Sequence, residues 1–207
     1  MTGANPDLLI DHFLPHHHFE LVRHTLVDAP VKDTYIAARE LDVTDVRGGL
    51  VPLARWVRGL PERWHDRGHG PRRQPTRLTV DDLDNGSAWV LLGEHTGAEF
   101  AIGVVGKFWR PVITWRRVEA DEFPAFDDPV WGKLVLAVSV RPYGPHRSLL
   151  TVHTRVQFTD PHSWLRFRRH WRFGGPFINA AHTALIDAIA SDARKRALAA
   201  YSRTDQS

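Results

Sequence analysis

DPHSWLRFRRHWRFGGPFINAAHTALIDAIASDARKRALAAY, residues 160–201, decides how the rest of the chain must be arranged. Trp164, Phe167, Arg168 and Trp171 recur at i, i+3, i+4 and i+7, the spacing that lines one face of an α-helix. Ile178, Ala181, His182, Leu185 and Ile189 form a second such stripe beyond Gly174-Gly175-Pro176. The glycines and proline predict a kink or an interruption there. A helix this long, burying one face, needs a broad apolar surface to lie on. Nearly everything before it, apart from two short helical segments, reads as strand and turn. The predicted fold is therefore α+β: a curved antiparallel sheet of about six or seven strands wrapped around the C-terminal helix, with a cavity between them.

The strands are read by working back from that helix. Residues 148–159 alternate most cleanly. Leu150, Val152, Thr154, Val156 and Phe158 take one face, and Thr151, His153, Arg155 and Gln157 the other, which predicts one buried and one wetter face. Pro142-Tyr143-Gly144-Pro145-His146 joins this strand to residues 131–141 as a hairpin. Further strands are expected over 77–80, 87–94, 98–109 and, as an edge, 112–118. Asn85-Gly86 and Thr96-Gly97 supply turns. Gly103 and Gly106 inside a strand suggest a bulge or a close approach to the backbone. Residues 119–129 read as a loop with room for a short helical turn.

In the opening strand, 16–28, Phe19, Leu21, Thr25 and Val27 share a parity that Arg23 breaks. A helix then starts at Asp28-Ala29-Pro30, where proline's missing N–H leaves nothing unpaired. A second helix is expected over 50–60, with Trp56 on its apolar side, and then a Pro-, Gly-, Arg- and His-rich loop over 61–76 that could serve as a lid. Residues 1–15 form an arm whose Leu8, Leu9, Ile10, Phe13 and Leu14 can tuck against the body. Residues 16–201 form one domain, and 202–207 a frayed tail.

Composition narrows the function classes. A 207-residue chain with 43% hydrophobic and 25% charged residues can bury a sizeable core. It has no cysteine, which excludes disulfides, thiolate metal sites and cysteine nucleophiles. No apolar run is long enough to span a bilayer, and the N-terminus lacks the pattern of a secretory signal, which suits a cytoplasmic protein. The net charge of +3 gives no strong field for nucleic acid. The segment 164–172 is basic and aromatic, so peripheral membrane contact is possible, but no nucleic-acid motif accompanies it. No phosphate-binding loop and no Gly-x-Ser-x-Gly elbow is present.

The opening strand with Ala29-Pro30 and its helix, Gly106-Lys107-Phe108-Trp109-Arg110, Phe123 to Phe126, Thr154-Arg155-Val156, and Phe167-Arg168-Arg169-His170-Trp171 together resemble the START-like or SRPBCC superfamily, the helix-grip fold of pollen-allergen-like proteins, lipid-transfer domains and polyketide cyclases. The likeness spans most of residues 17–195 and is nearest to the uncharacterised bacterial, polyketide cyclase-like branch. It implies two short helices after the first strand and a cavity for a hydrophobic ligand or substrate. A glutamate often expected before the Thr-Arg pair is His153 here.

The candidate site residues follow. Trp89, Phe108, Trp131, Trp164, Trp171 and Phe177 are candidates to line an aromatic pocket, with Asn179 and His182 placed to reach a ligand. Arg155, His153 and His170 are candidates to polarise or protonate a substrate. No cofactor is expected. His16-His17-His18, with alternate side chains on opposite faces of a strand, does not make a metal site. Two functions stay open: a carrier of a hydrophobic or aromatic small molecule, and a cofactor-independent cyclase, aromatase or dehydratase using the same cavity. A monomer or a homodimer suits either.

Overall fold

The computed structural model describes residues 8–42, 79–82, 88–110 and 113–204, with the side chains of 82, 170–177, 203 and 204 left aside. The helix expected over 50–60 with Trp56, the loop 61–76 and the Asn85-Gly86 turn lie outside these residues.

Alternation makes the centre of the sheet. β5 (Gly132–Pro142) and β6 (Ser148–Phe158) form the expected hairpin. Its turn uses Gly144 at φ 77°, and Tyr143 N donates to Arg147 O at 3.0 Å. β1 (Phe19–Val27) pairs antiparallel with the free edge of β6, from Phe19 opposite Val156 to Val27 opposite Ser148. β2 (Trp89–His95) and β3 (Glu99–Gly106) turn at Gly97, φ 83°, and β3 pairs with β5. The short β4 (Trp115–Arg116) extends β3 at its far end. The strand order is β1-β6-β5-β3-β2, all antiparallel. Of the strand expected over 77–80, residues 77–78 fall outside the described residues, and the described end is not strand: Val80–Asp82 is a single 3-10 turn.

Two described helices precede the sheet's core strands. α1 (Leu9–Phe13) lies in the arm, and α2 (Val31–Arg39) follows β1 with Pro30 itself at the cap. The last element, α3 (Pro161–Thr204), is 44 residues long and spans roughly 65 Å. Asp160 caps it. Its carboxylate accepts from Ser163 N at 2.9 Å and from Ser163 Oγ at 2.5 Å, with Pro161 in the first turn. α3 runs without a break through Gly174-Gly175-Pro176, so the helix is not interrupted there. Packed residues on both sides, Phe167 before and Ala181 and Leu185 after, hold the helix to the sheet against the low propensity of that triplet.

α3 and α2 cover one face of the sheet, here the inner face. Near β6's C-terminal end, Trp89, Trp109, Phe158 and Phe167 pack with Val104, Leu134 and Val156. Near its N-terminal end, Val27, Tyr35, Leu150, Leu185 and Ile189 form an aliphatic core. Ile189 is 1% exposed, and burying such a side chain stabilises by roughly 2 kcal/mol. The other, outer face is also covered, contrary to the single buried face that alternation predicts. Ile10, Phe13 and Leu14 of the arm, with Val118 and Phe123, pack on Ala101, Val105, Val135 and Ala137. Gly103 marks how closely: a Cβ there would sit 2.7 Å from Leu92 Cδ1 and 2.9 Å from Phe123 Cε2. Leu92 reaches that face through a bulge in β2 between Leu91 and Gly93. Local alternation cannot foresee a cover supplied largely by the arm, whose Ile10 and Leu14 are 87 to 127 positions from the strand residues they cover, Ala101 to Ala137.

Candidate functional site

The parity exception in β1 proves to be the informative residue. Arg23 sits opposite Val152 and points with it to the inner face, toward α3. Its Nη2 donates to Asn179 Oδ1 at 3.1 Å. One turn along α3, His182 is 4% exposed, and its Nε2 is 2.9 Å from Thr154 Oγ1. Thr154 lies opposite Leu21, two positions along from the Arg23–Val152 pair, so the four side chains form one polar belt across β1, β6 and α3. The belt falls between the two apolar clusters. Phe19, Val156, Phe158 and Phe167 lie to one side of it, and Val27, Leu150, Leu185 and Ile189 to the other.

Charge and hydrogen bonding in the belt are incomplete among the described residues. Arg23 Nε and His182 Nδ1 are both buried and have no hydrogen-bond partner there, and no carboxylate reaches the guanidinium. Burial lowers the His182 pKa to about 4, helped by the positive charges of Arg23 and His153. The imidazole is therefore neutral near pH 7. Each unpaired buried polar group costs about 1–3 kcal/mol, more for a charged one.

Arg155 and His153 fall on the opposite face, as their parity requires, and this corrects their assignment to the space between sheet and helix. Arg155 Nη1 donates to Asp11 Oδ1 at 2.6 Å and to Leu14 O at 3.3 Å, and its Nε to Glu20 Oε1 at 2.9 Å. Glu20 Oε1 also lies 2.8 Å from His153 Nε2. Burial works to raise the Glu20 pKa, but the hydrogen bonds from Arg155 and His153 prevail and hold it below the usual carboxylate value. Burial holds His153 below the usual imidazole value, against the pull of Glu20. These groups fasten the arm to the sheet. Lys133 lies on this face too, 5% exposed, donating to Pro124 O at 3.0 Å.

The aromatic candidates divide. Trp89, Phe108 and Trp164 belong to the inner face at the Phe158 end, where rings pack against one another: Phe158 and Phe167 centroids are 4.7 Å apart, Phe19 and Phe167 5.2 Å, Trp109 and Phe158 5.6 Å. Phe108 lies over Gly106 and Gly132, and Trp164 stacks on His18 at 5.2 Å. Trp131 is on the outer face, with Lys107 Nζ 4.3 Å from its ring centroid, and so is not a wall between sheet and helix. The side chains of Trp171, Phe177 and His170 lie outside the described residues. Asn179 is in the belt. Arg23 and Thr154 were not among the expected site residues, whereas His182 is one of the polar residues expected to reach a ligand. Arg23 carried a readable signal, a charge at an inward strand position. Thr154 gave none, because it is ordinary at its own spacing; His182 stands out as a polar residue in the apolar stripe of the last helix.

The histidines near the N-terminus have separate partners: His18 Nδ1 accepts from Phe158 N at 3.1 Å, and His24 Nδ1 lies 2.9 Å from Thr151 Oγ1. Among the described residues no three His, Asp or Glu side chains gather as metal ligands, and no helix is long and apolar enough to cross a membrane. A surface hollow of about 410 Å³ lies at the far end of α3, between Pro30, Arg147 and Tyr201, away from the belt.

No family model and no curated protein matches the chain. Among solved structures it is similar to a hypothetical protein of Helicobacter pylori, at 12% identity and TM-score 0.42, over 92% of this chain and 98% of that one. It is similar to norcoclaurine synthase from Thalictrum flavum at 10% identity and TM-score 0.38, over 84% of each chain. It is also similar to CalU16 from Micromonospora echinospora at 10% identity and TM-score 0.30, over 87% of this chain and 86% of that one. The six-stranded sheet closed on a long C-terminal helix is a helix-grip fold.

Proposed function

We propose that this chain is a START-like protein of the SRPBCC kind that binds a hydrophobic or aromatic small molecule between its sheet and α3. The observation that carries the reading is the polar belt. A protein gains nothing in stability by burying Arg23 Nε and His182 Nδ1, which have no partner among the described residues, in the middle of an apolar interface. Such groups are retained where something else uses them, and apolar clusters on either side of the belt suit a ligand with an apolar body. Binding predicts saturable, one-to-one uptake of the neutral dye Nile red with a blue-shifted emission, and a retained small molecule in native mass spectra of freshly purified protein. Absence of both ends this reading.

A second reading, a cofactor-independent cyclase or dehydratase, draws on the same belt. Arg23 and His182 supply two polar groups on one inner region, the minimum for polarising one atom of a substrate while moving a proton at another. Thr154 fixes the imidazole ring, and burial keeps it neutral near pH 7. The two readings part on turnover of a bound molecule, followed by mass spectrometry.

A further inference from the structure

Resting on the binding reading above, we infer that the ligand is an amphipathic organic acid whose anionic oxygen is held by Arg23 and His182. The argument is one of charge and donors. A guanidinium stays protonated at any physiological pH, so Arg23 brings a fixed positive charge into the sheet–helix interface. Its hydrogen-bond partner among the described residues, Asn179 Oδ1, is neutral, and no described carboxylate balances it. By contrast Arg155, on the next strand, has two carboxylates and a carbonyl. The chain thus supplies counter-charge where it fastens its own parts, and none of the described residues supplies it at the belt.

The hydrogen-bonding inventory agrees. Arg23 Nε can only donate. When the Thr154 hydroxyl donates to His182 Nε2, the neutral ring carries its proton on Nδ1, and that atom also becomes a donor. Two inward donors, one of them cationic, with no described acceptor, match a carboxylate or another acidic oxygen and mismatch an amine, a cation or a plain hydrocarbon. A charge-assisted bond to such an oxygen is stronger than a neutral one and removes the penalty of the unpaired guanidinium. The acid should therefore bind at least about tenfold more tightly than the alcohol of the same skeleton.

The test uses matched pairs at neutral pH on the whole protein: 2-naphthoic acid against 2-naphthalenemethanol, and dodecanoic acid against 1-dodecanol, by calorimetry or Nile red displacement. The expected result is a preference of about tenfold or more for the acid in at least one pair. In Arg23→Met, which keeps the apolar stem and loses the charge, the preference for the acid over the alcohol should vanish. Equal binding of acid and alcohol by the unaltered protein overturns the inference and leaves the binding reading standing. So does a preference that survives in Arg23→Met. If neither member of either pair binds, the inference fails; uptake of Nile red then decides whether the wider reading fails with it. Should Arg23→Met not fold, the comparison in the unaltered protein still decides, and His182→Gln, expected to weaken the acid preference about threefold or more, replaces it.

Discussion

β1 and β6 carry two arginine-centred clusters on opposite faces, a few residues apart, and the clusters are built differently. On the outer face Arg155 meets Asp11, Glu20 and the Leu14 carbonyl, and Glu20 also meets His153. Donors and acceptors there are matched, with both ends of each contact supplied by the chain. On the inner face, among the described residues, Arg23 hydrogen-bonds only to a neutral amide and His182 only to a hydroxyl. The lesson is that a charged group near the middle of a sheet is not informative by type. What separates a fastening from a binding site is whether the protein completes the set of partners.

Four changes sharpen or break that contrast, taken from the largest effect down. Phe123 is fully buried under the outer cover, and Phe123→Ala should cost about 3–4 kcal/mol in denaturant unfolding while the surviving folded protein still takes up Nile red. Loss of uptake at full stability would show that the outer face is not separate from the site. Acid is next. The His182 pKa in the folded state, about 4, lies below the unfolded value of 6.5, so the unfolded chain binds the extra proton first. Stability from this group is complete above about pH 6.5 and falls as pH drops through 4, by on the order of 3 kcal/mol. His182→Gln should remove that part of the slope. An unchanged slope means the imidazole is not buried as described.

Arg155→Ala should cost about 2 kcal/mol: the pair is largely buried at arginine, but Asp11 and Glu20 are 47% and 40% exposed, which screens the loss. Proteolysis should then cut the released arm near residues 8–14 faster, with Nile red affinity unchanged. Reduced affinity would tie the fastening to the site. Least of all, Gly103→Ala should cost about 1 kcal/mol, because Leu92 and Phe123 must give way to the new methyl group. A neutral outcome would mean the outer cover is looser than its contacts imply.

How far the sequence could be read follows from the reach of each signal. The β5–β6 hairpin, the Gly97 turn and the long final helix rest on contacts between near neighbours or on plain periodicity, and residues 132–158 were legible almost to the boundary. Parity placed Arg155 and His153 together, and Thr154 apart from them. It could not say which set faces the helix, nor that the second set is also covered, because the cover comes from Ile10 and Phe13. Trp131 shows the same limit: its type suits a pocket, yet its parity with Val135 sends it outward. Arg23 was visible as a misfit and passed over in favour of Arg155, since a lone charge in a strand usually faces solvent. The Thr154–His182 contact joins residues 28 apart on different elements, and nothing local announces it.

The pairing of β1 with β6 has a consequence for how the protein is made. Phe19 finds Val156 and Asp11 finds Arg155, so the segments that leave the ribosome first need partners synthesised 137 to 144 residues later. Until then, β1 is an open edge with Leu21, Leu26 and Val27 unprotected. The β5–β6 hairpin, whose strands are adjacent in sequence, can close as soon as it emerges. Nascent chains therefore pass through a long interval with a hydrophobic strand exposed, the stage at which chaperones and aggregation compete for them.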